Sequence, residues 1–298
     1  MDPHQLKDYI YNFSLADSAQ GGRGYNRVLL QLFGYTGHGK SSFINSCKFV
    51  LDGEYRTIAE SGQRESGGAM TMVRNAYKLT DTITIVDNRG FKNMDNIEKI
   101  QINSQLANLL PLNQEVKWAE EYDDILCIIN KKSDSDYTDI IVPIFVYSVK
   151  TNLTKDEDNE VREFLETCQE MTRINPTIVL TNKTSGNYSN VEERLGTKRV
   201  FPVENYTEDR QLATREKHID ILNIIKSVLD DVKFSLEHGS DPEEERTEHI
   251  KFLMGMAHRI FSAKELEKKE EEDRKKQKEM PVPNIFTRIW NAIFFVRK

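Results

Sequence analysis

Gly34, Tyr35, Thr36, Gly37, His38, Gly39, Lys40 and Ser41 limit what this chain can fold into more than any other stretch. They match the pattern G-x-x-x-x-G-K-[ST], and their surroundings fit it. A short apolar run, Val28–Phe33, precedes the pattern, and an amphipathic run, Phe43–Leu51, follows it and ends at Gly53. This is strand, loop and helix in the order a phosphate-binding loop requires. Glycines let the backbone wrap closely around phosphate oxygens. The loop N–H groups and the helix N-terminus then face an anion. Lys40 is placed to reach the outer phosphates and Ser41 to hold Mg²⁺, with Gly34, Gly37, His38, Gly39 and Ser42 completing the cradle.

Downstream, extended apolar runs alternate with helical spacing. Residues 72–80 and 82–87 read as two strands joined by a turn at Thr80 and Asp81, and Ile144–Val149, Thr177–Leu180 and Val200–Val203 as three more. Helices are expected over 93–110, 155–173 and 209–236. The alternation predicts an α/β fold: a mostly parallel sheet with helices on both faces, as in P-loop NTPases and small G-domains, plus a C-terminal helical extension. Segment 113–142 gives no clear pattern. The chain divides into an arm (1–24), the nucleotide domain (25–240), a charged helical extension (241–280) and an apolar tail (281–298).

Composition narrows the function. Against 41 Lys and Arg stand 48 Asp and Glu, a net charge of −7, so no nucleic-acid partner is expected. Three dispersed cysteines argue for a reduced, cytoplasmic setting and against a cysteine zinc site. The N-terminus lacks the pattern of a secretory signal, and there is no run of about 20 apolar residues to span a bilayer.

Four further stretches carry chemistry. Asp87, Asn88, Arg89 and Gly90 close the buried run Thr82–Val86. There Asp87 can support the metal and the Gly90 N–H can meet a terminal phosphate. Thr71 is the leading candidate for a threonine that closes over Mg²⁺, with Thr57 second. Asn182 and Lys183 follow a strand as in the base-reading pattern [NT]-K-x-D, but Ser185 occupies the aspartate position. A carboxylate there would accept both guanine donors. Its loss costs roughly 2–3 kcal/mol. Asn205 lies in the loop after the expected last strand.

In this order the motifs look like a GTP-binding domain of the Ras-like class. Residues 39–46 and 203–206 are similar to the interferon-induced protein 44 family of GTP-binding proteins. The resemblance covers residues 26–232 and implies GTP or GDP with Mg²⁺ as ligands and a cytoplasmic, interferon-inducible protein. Two departures are the missing base aspartate and the absence of room for the extra N-terminal domain some relatives carry. Ras-like enzymes place a water-orienting glutamine after the D-x-x-G glycine; Phe91 stands here. Slow or assembly-stimulated hydrolysis is therefore expected, with His38 and Arg89 as substitutes to consider. A non-hydrolysing scaffold on a degenerate domain and an ATP-using enzyme stay open.

Between Lys264 and Lys278, seven Lys/Arg and six Asp/Glu alternate as on a solvated helix. Beyond Pro281 and Pro283 comes a dense apolar run, Ile285–Val296, with Arg288, Arg297 and Lys298. Too short to span a bilayer, it is expected to lie at a membrane interface. Folding back on the domain and pairing in a homo-oligomer are the alternatives.

Overall fold

A computed structural model of the chain describes residues 1–279 except 19–20, 61–72, 93, 116–120, 131–137, 152–153, 186–187, 196–198 and 240. Thr71 and the apolar tail thus lie outside the described residues. The molecule divides into two compact units, Met1–Met254 and Gly255–Lys298.

The first unit is built on a six-stranded sheet. Its strands are β1 (Arg27–Phe33), β2 (Asn75–Lys78), β3 (Ile83–Asp87), β4 (Asp139–Ser148), β5 (Thr177–Thr181) and β6 (Val200–Val203). Their spatial order is β2-β3-β1-β4-β5-β6. Only β2 runs antiparallel, joined to β3 through the turn expected at Thr80. The other pairings are parallel. Parallel strands need crossovers, and α2 (Lys40–Asp52), α3 (Asn96–Leu106), α4 (Tyr122–Asn130), α5 (Lys155–Thr172) and α6 (Tyr188–Leu195) lie in the connections, while α1 (Pro3–Tyr11) precedes the first strand and α7 (Arg215–His238) follows the last.

The side-chain alternation of β1 separates the two faces. Val28, Leu30 and Leu32 join the core with Leu6 and Ile10 of α1, Phe43 and Ile44 of α2, and Ile221 and Ile225 of α7. On the other face, Gln31 donates to the Leu106 carbonyl at the end of α3, and the Phe33 ring lies 5.2 Å from that of Phe164 on α5. The expected architecture is therefore present.

The structure also corrects details. β4 begins at Asp139, five residues before the expected Ile144, because Arg27 of β1 extends the ladder by pairing with Asp139 through two 2.6 Å hydrogen bonds. α7 begins at Arg215, where the Thr214 hydroxyl caps it by accepting from the Lys217 N–H. α6 was not anticipated. α8 is a single helix from Pro242 to Glu279. From Ala263 to Lys276 it is exposed, and it carries Arg274–Glu270 and Lys276–Asp273 ion pairs.

Candidate functional site

Strand register brings the motif-bearing loops together. Leu32 pairs with Asp87, Phe33 with Phe145, Ser148 with Thr181, and Thr181 with Val203. The chain segments that leave β1, β3, β4, β5 and β6 thus emerge along one edge, where open α/β sheets bind ligands.

The first of them curls back over that edge. Gly34 has φ 138°, and a Cβ there would overlap the Val146 carbonyl oxygen. Gly37 and Gly39 also take left-handed φ values, 82° and 91°. Gly39 begins α2 without a side-chain cap, so the amides of the first turn, through Ser41 and Ser42, have no capping side chain. The Lys40 Nζ is buried and donates to the Gly34 and Tyr35 carbonyls at 3.0 and 3.1 Å. Burial pulls its pKa down to about 8, with Asp87 opposing.

Ser41 and Asp87 meet. The Ser41 Oγ donates to Asp87 Oδ2 at 2.6 Å, while the buried Asp87 Oδ1 has no partner among the described residues. Burial raises the Asp87 pKa, and Lys40 and the Ser41 hydroxyl oppose that. Gly90 abuts the loop: a Cβ would stand 2.7 Å from Thr36 Oγ1 and 2.9 Å from its Cα. The following Phe91 donates its N–H to the Gly34 carbonyl at 3.0 Å. Its ring is buried 5.1 Å from Phe164 and 6.1 Å from Phe145, in the core and not in the site. Arg89 is half-buried, and that burial lowers its pKa against the pull of Glu98.

His38 forms part of the wall. Its Nδ1 accepts the Ser148 N–H at 3.3 Å, its carbonyl accepts from Thr181 Oγ1 at 2.9 Å, and its ring meets Tyr147 edge-on at 4.7 Å. Burial, helped by Lys40, pulls the ring pKa to about 4 from 6.5. The unfolded chain therefore binds more protons as pH falls from 6.5 to about 4, and stability is lost over that window. His38→Asn keeps an acceptor but does not titrate. Urea midpoints at pH 7 and pH 5 should fall further in the parent than in this variant.

Asn182, at φ 61°, donates from Nδ2 to Ser148 Oγ at 2.9 Å. The Lys183 Nζ is held by Glu216 and Asp220 of α7 at 3.1 and 2.9 Å, which raise its pKa. Asn205 Nδ2 donates to the Gly39 carbonyl at 3.1 Å, and its buried Oδ1 has no partner among the described residues.

Several residues here were not singled out from sequence. Asn45 clips the loop after α2: its Oδ1 accepts the Ile58 and Ala59 N–H groups at 3.0 and 2.9 Å, and its Nδ2 donates to the Ala59 carbonyl. Ser46 Oγ accepts the Tyr206 N–H at 2.8 Å. Thr57, the second threonine candidate, donates to Glu208 at 2.7 Å. For Asn45 and Ser46 the forewarning was the Asn-Ser pair in the run 39–46.

No family model matches the chain, and no curated protein matches it. Among solved structures it is similar to a dimerization-deficient mutant of Toc33 from Arabidopsis thaliana, with 15% identity and a TM-score of 0.41 over 77% of this chain and 91% of that one. A likeness this distant carries no functional argument, which rests instead on the geometry of the site.

Proposed function

We propose that the chain binds GTP and GDP with Mg²⁺ along this sheet edge and works as a cytosolic switch with slow or assembly-stimulated hydrolysis. The observation that carries the reading is the Ser41–Asp87 pair beneath the loop, with an unpartnered buried oxygen on Asp87. A hydroxyl and a carboxylate are the hard oxygen donors Mg²⁺ takes beside phosphate and water. The residues fit the group. Ser41 would coordinate it and Asp87 would support it, while Lys40 would exchange its two carbonyls for phosphate oxygens. When bound, the metal would neutralise phosphate charge.

The protein's own part is binding and positioning. The uncapped start of α2 favours negative charge. Phe91, buried among aromatic rings, leaves no water-orienting side chain at that position; this supports slow turnover and is the observation favouring the second reading, a non-hydrolysing scaffold. Thr71 as a metal-closing residue is an expectation from sequence. The runs 39–46 and 203–206, which meet through Ser46–Tyr206 and Gly39–Asn205, carry the resemblance to the interferon-induced protein 44 family. With it comes the reading of an innate-immune role. The domain scheme, the homo-oligomer and the interfacial role of 285–298 belong to the same proposal. Among the described residues no helix is long and apolar enough to cross a membrane.

Calorimetric titration with GDP, a non-hydrolysable GTP analogue and its ATP counterpart, with and without Mg²⁺, tests the reading. Guanine nucleotides should bind, and Mg²⁺ should tighten the triphosphate. Ser41→Ala and Asp87→Asn should each weaken Mg²⁺-dependent binding roughly 10- to 150-fold, the worth of one charge-assisted contact. Unchanged magnesium dependence in both would remove the metal assignment, and phosphate release measured across protein concentrations separates switch from scaffold.

A further inference from the structure

The missing aspartate at position 185 leaves the guanine donors without the acceptor that base-reading loops ordinarily offer, and the structure places another carboxylate beside that loop. β5 and β6 end in register, Thr181 against Val203, so Asn182–Ser185 and Glu204–Tyr206 leave the sheet side by side. Glu204 Oε2 accepts both the Thr184 N–H, at 3.2 Å, and the Thr184 hydroxyl, at 3.0 Å. The carboxylate is thereby fixed to the very loop that lacks one. Its side chain is 15% exposed, and among the described residues its other oxygen has only Arg210 at a long 3.9 Å. A carboxylate offers about four acceptor positions. Two are taken by Thr184, and those on Oε1 face no short contact.

The other carboxylates near the loop are engaged. Glu216 and Asp220 hold Lys183, and Glu208 accepts from Thr57. Glu204 is also tied to the phosphate-binding loop through its neighbour, because Asn205 Nδ2 donates to the Gly39 carbonyl. This sets the distance between a base beside Glu204 and phosphates beside Lys40.

Resting on the nucleotide-binding reading above, we propose that Glu204 is the specificity-determining residue that selects guanine, in place of an aspartate at position 185. Its carboxylate accepts guanine N1–H and N2–H₂ together. Adenine presents an acceptor at N1, which a carboxylate repels, so ATP is rejected by the same group.

Exchanging the acceptor pattern tests this. In Glu204→Gln the amide offers one acceptor and one donor. That suits xanthine, with its N1–H and its C2 carbonyl, and not guanine. Titrations of the full chain with GDP, ADP and XDP should show the parent preferring GDP. E204Q should lose roughly 30- to 150-fold in GDP affinity and prefer XDP. Gain of XDP binding cannot come from misfolding. Should E204Q bind neither nucleotide, adding Ser185→Asp in the same chain should restore GDP preference; failure to do so overturns the assignment. Persistence of GDP preference in E204Q overturns it too, with nucleotide binding intact. Equal GDP and ADP binding by the parent does the same. Binding of no nucleotide by the parent fails the underlying reading instead.

Discussion

Lys40→Met is expected to abolish nucleotide binding while leaving the nucleotide-free fold at least as stable. The ammonium sits buried on two backbone carbonyls, Gly34 and Tyr35. Replacing them with phosphate oxygens would create two charge-assisted hydrogen bonds. Losing both costs roughly 3–6 kcal/mol, or about 10²- to 10⁴-fold in affinity. Methionine keeps the stem and packing volume but cannot make either bond. Without nucleotide, by contrast, the charge is a burden. Burial holds the folded pKa at about 8 against 10.5 ordinarily. Between those values the unfolded chain binds more protons, so the penalty is full below about pH 8 and fades as pH rises towards 10.5. Urea midpoints of nucleotide-free K40M should therefore equal or exceed the parent's at pH 7.5. The parent should gain on the variant as pH climbs. Micromolar affinity retained by K40M would remove the phosphate assignment altogether.

Much of this site could be read in advance because its chemistry is local in sequence. Strand, glycine loop, Lys40 and Ser41 form one contiguous run, and Asp87 ends an apolar strand whose partner could be guessed. Parallel register sets Asp87 against Leu32, and the loop and the start of α2 bring Ser41 to it. What escaped depended on side chains meeting across long sequence separations. Nothing in the spacing of residue 204 reveals that it reaches Thr184, or that Ser46 holds the backbone of Tyr206. Lys183 shows the converse. Its position in the motif is ordinary, yet its ammonium is held by two carboxylates of α7, a helix that begins 32 residues later.

The strand boundaries failed for a related reason. Asp139–Val142 adjoins a polar stretch with no period of its own, and the residue that extends β4 to Asp139 is Arg27, on another strand. Similarly, the charge alternation between Lys264 and Lys278 marks only the second part of a helix that runs unbroken from Pro242 to Glu279. Propensity gave the helical state there but not its continuity. That boundary has no cap or proline to mark it, whereas α5 announces itself with a capping box at Thr154 and Glu157.

Arg74→Met is expected to be the most destabilising substitution considered, at roughly 3–5 kcal/mol, from several lost hydrogen bonds between a charged donor and neutral acceptors, worth about 1.5–3 kcal/mol each. Arg74 is fully buried, and its guanidinium donates to Asn88 Oδ1, Asn108 Oδ1 and the Gln105 carbonyl, each at 2.9 Å, and to the Leu110 carbonyl. Asn88 in turn donates to Gln31 at 3.1 Å, and Asn108 to Asp139 at 2.9 Å. One side chain thus joins the segment after Asp87 to the end of α3 and to the interior of β1. Removing it takes the donor from four acceptors at once, two of them buried and two half-buried. Arg74→Lys keeps the charge, but a point ammonium cannot span a planar fork of acceptors, so it should lose nearly as much. Urea unfolding of both variants measures the cost, and titration with Mg²⁺-nucleotide should show weaker binding wherever Asn88 is released beside Asp87. A loss below about 1 kcal/mol in R74M, less than one buried acceptor left unsatisfied, would mean that the guanidinium does not fix Asn88. The placement of Asp87 would then rest on the pairing of β3 with β1 alone.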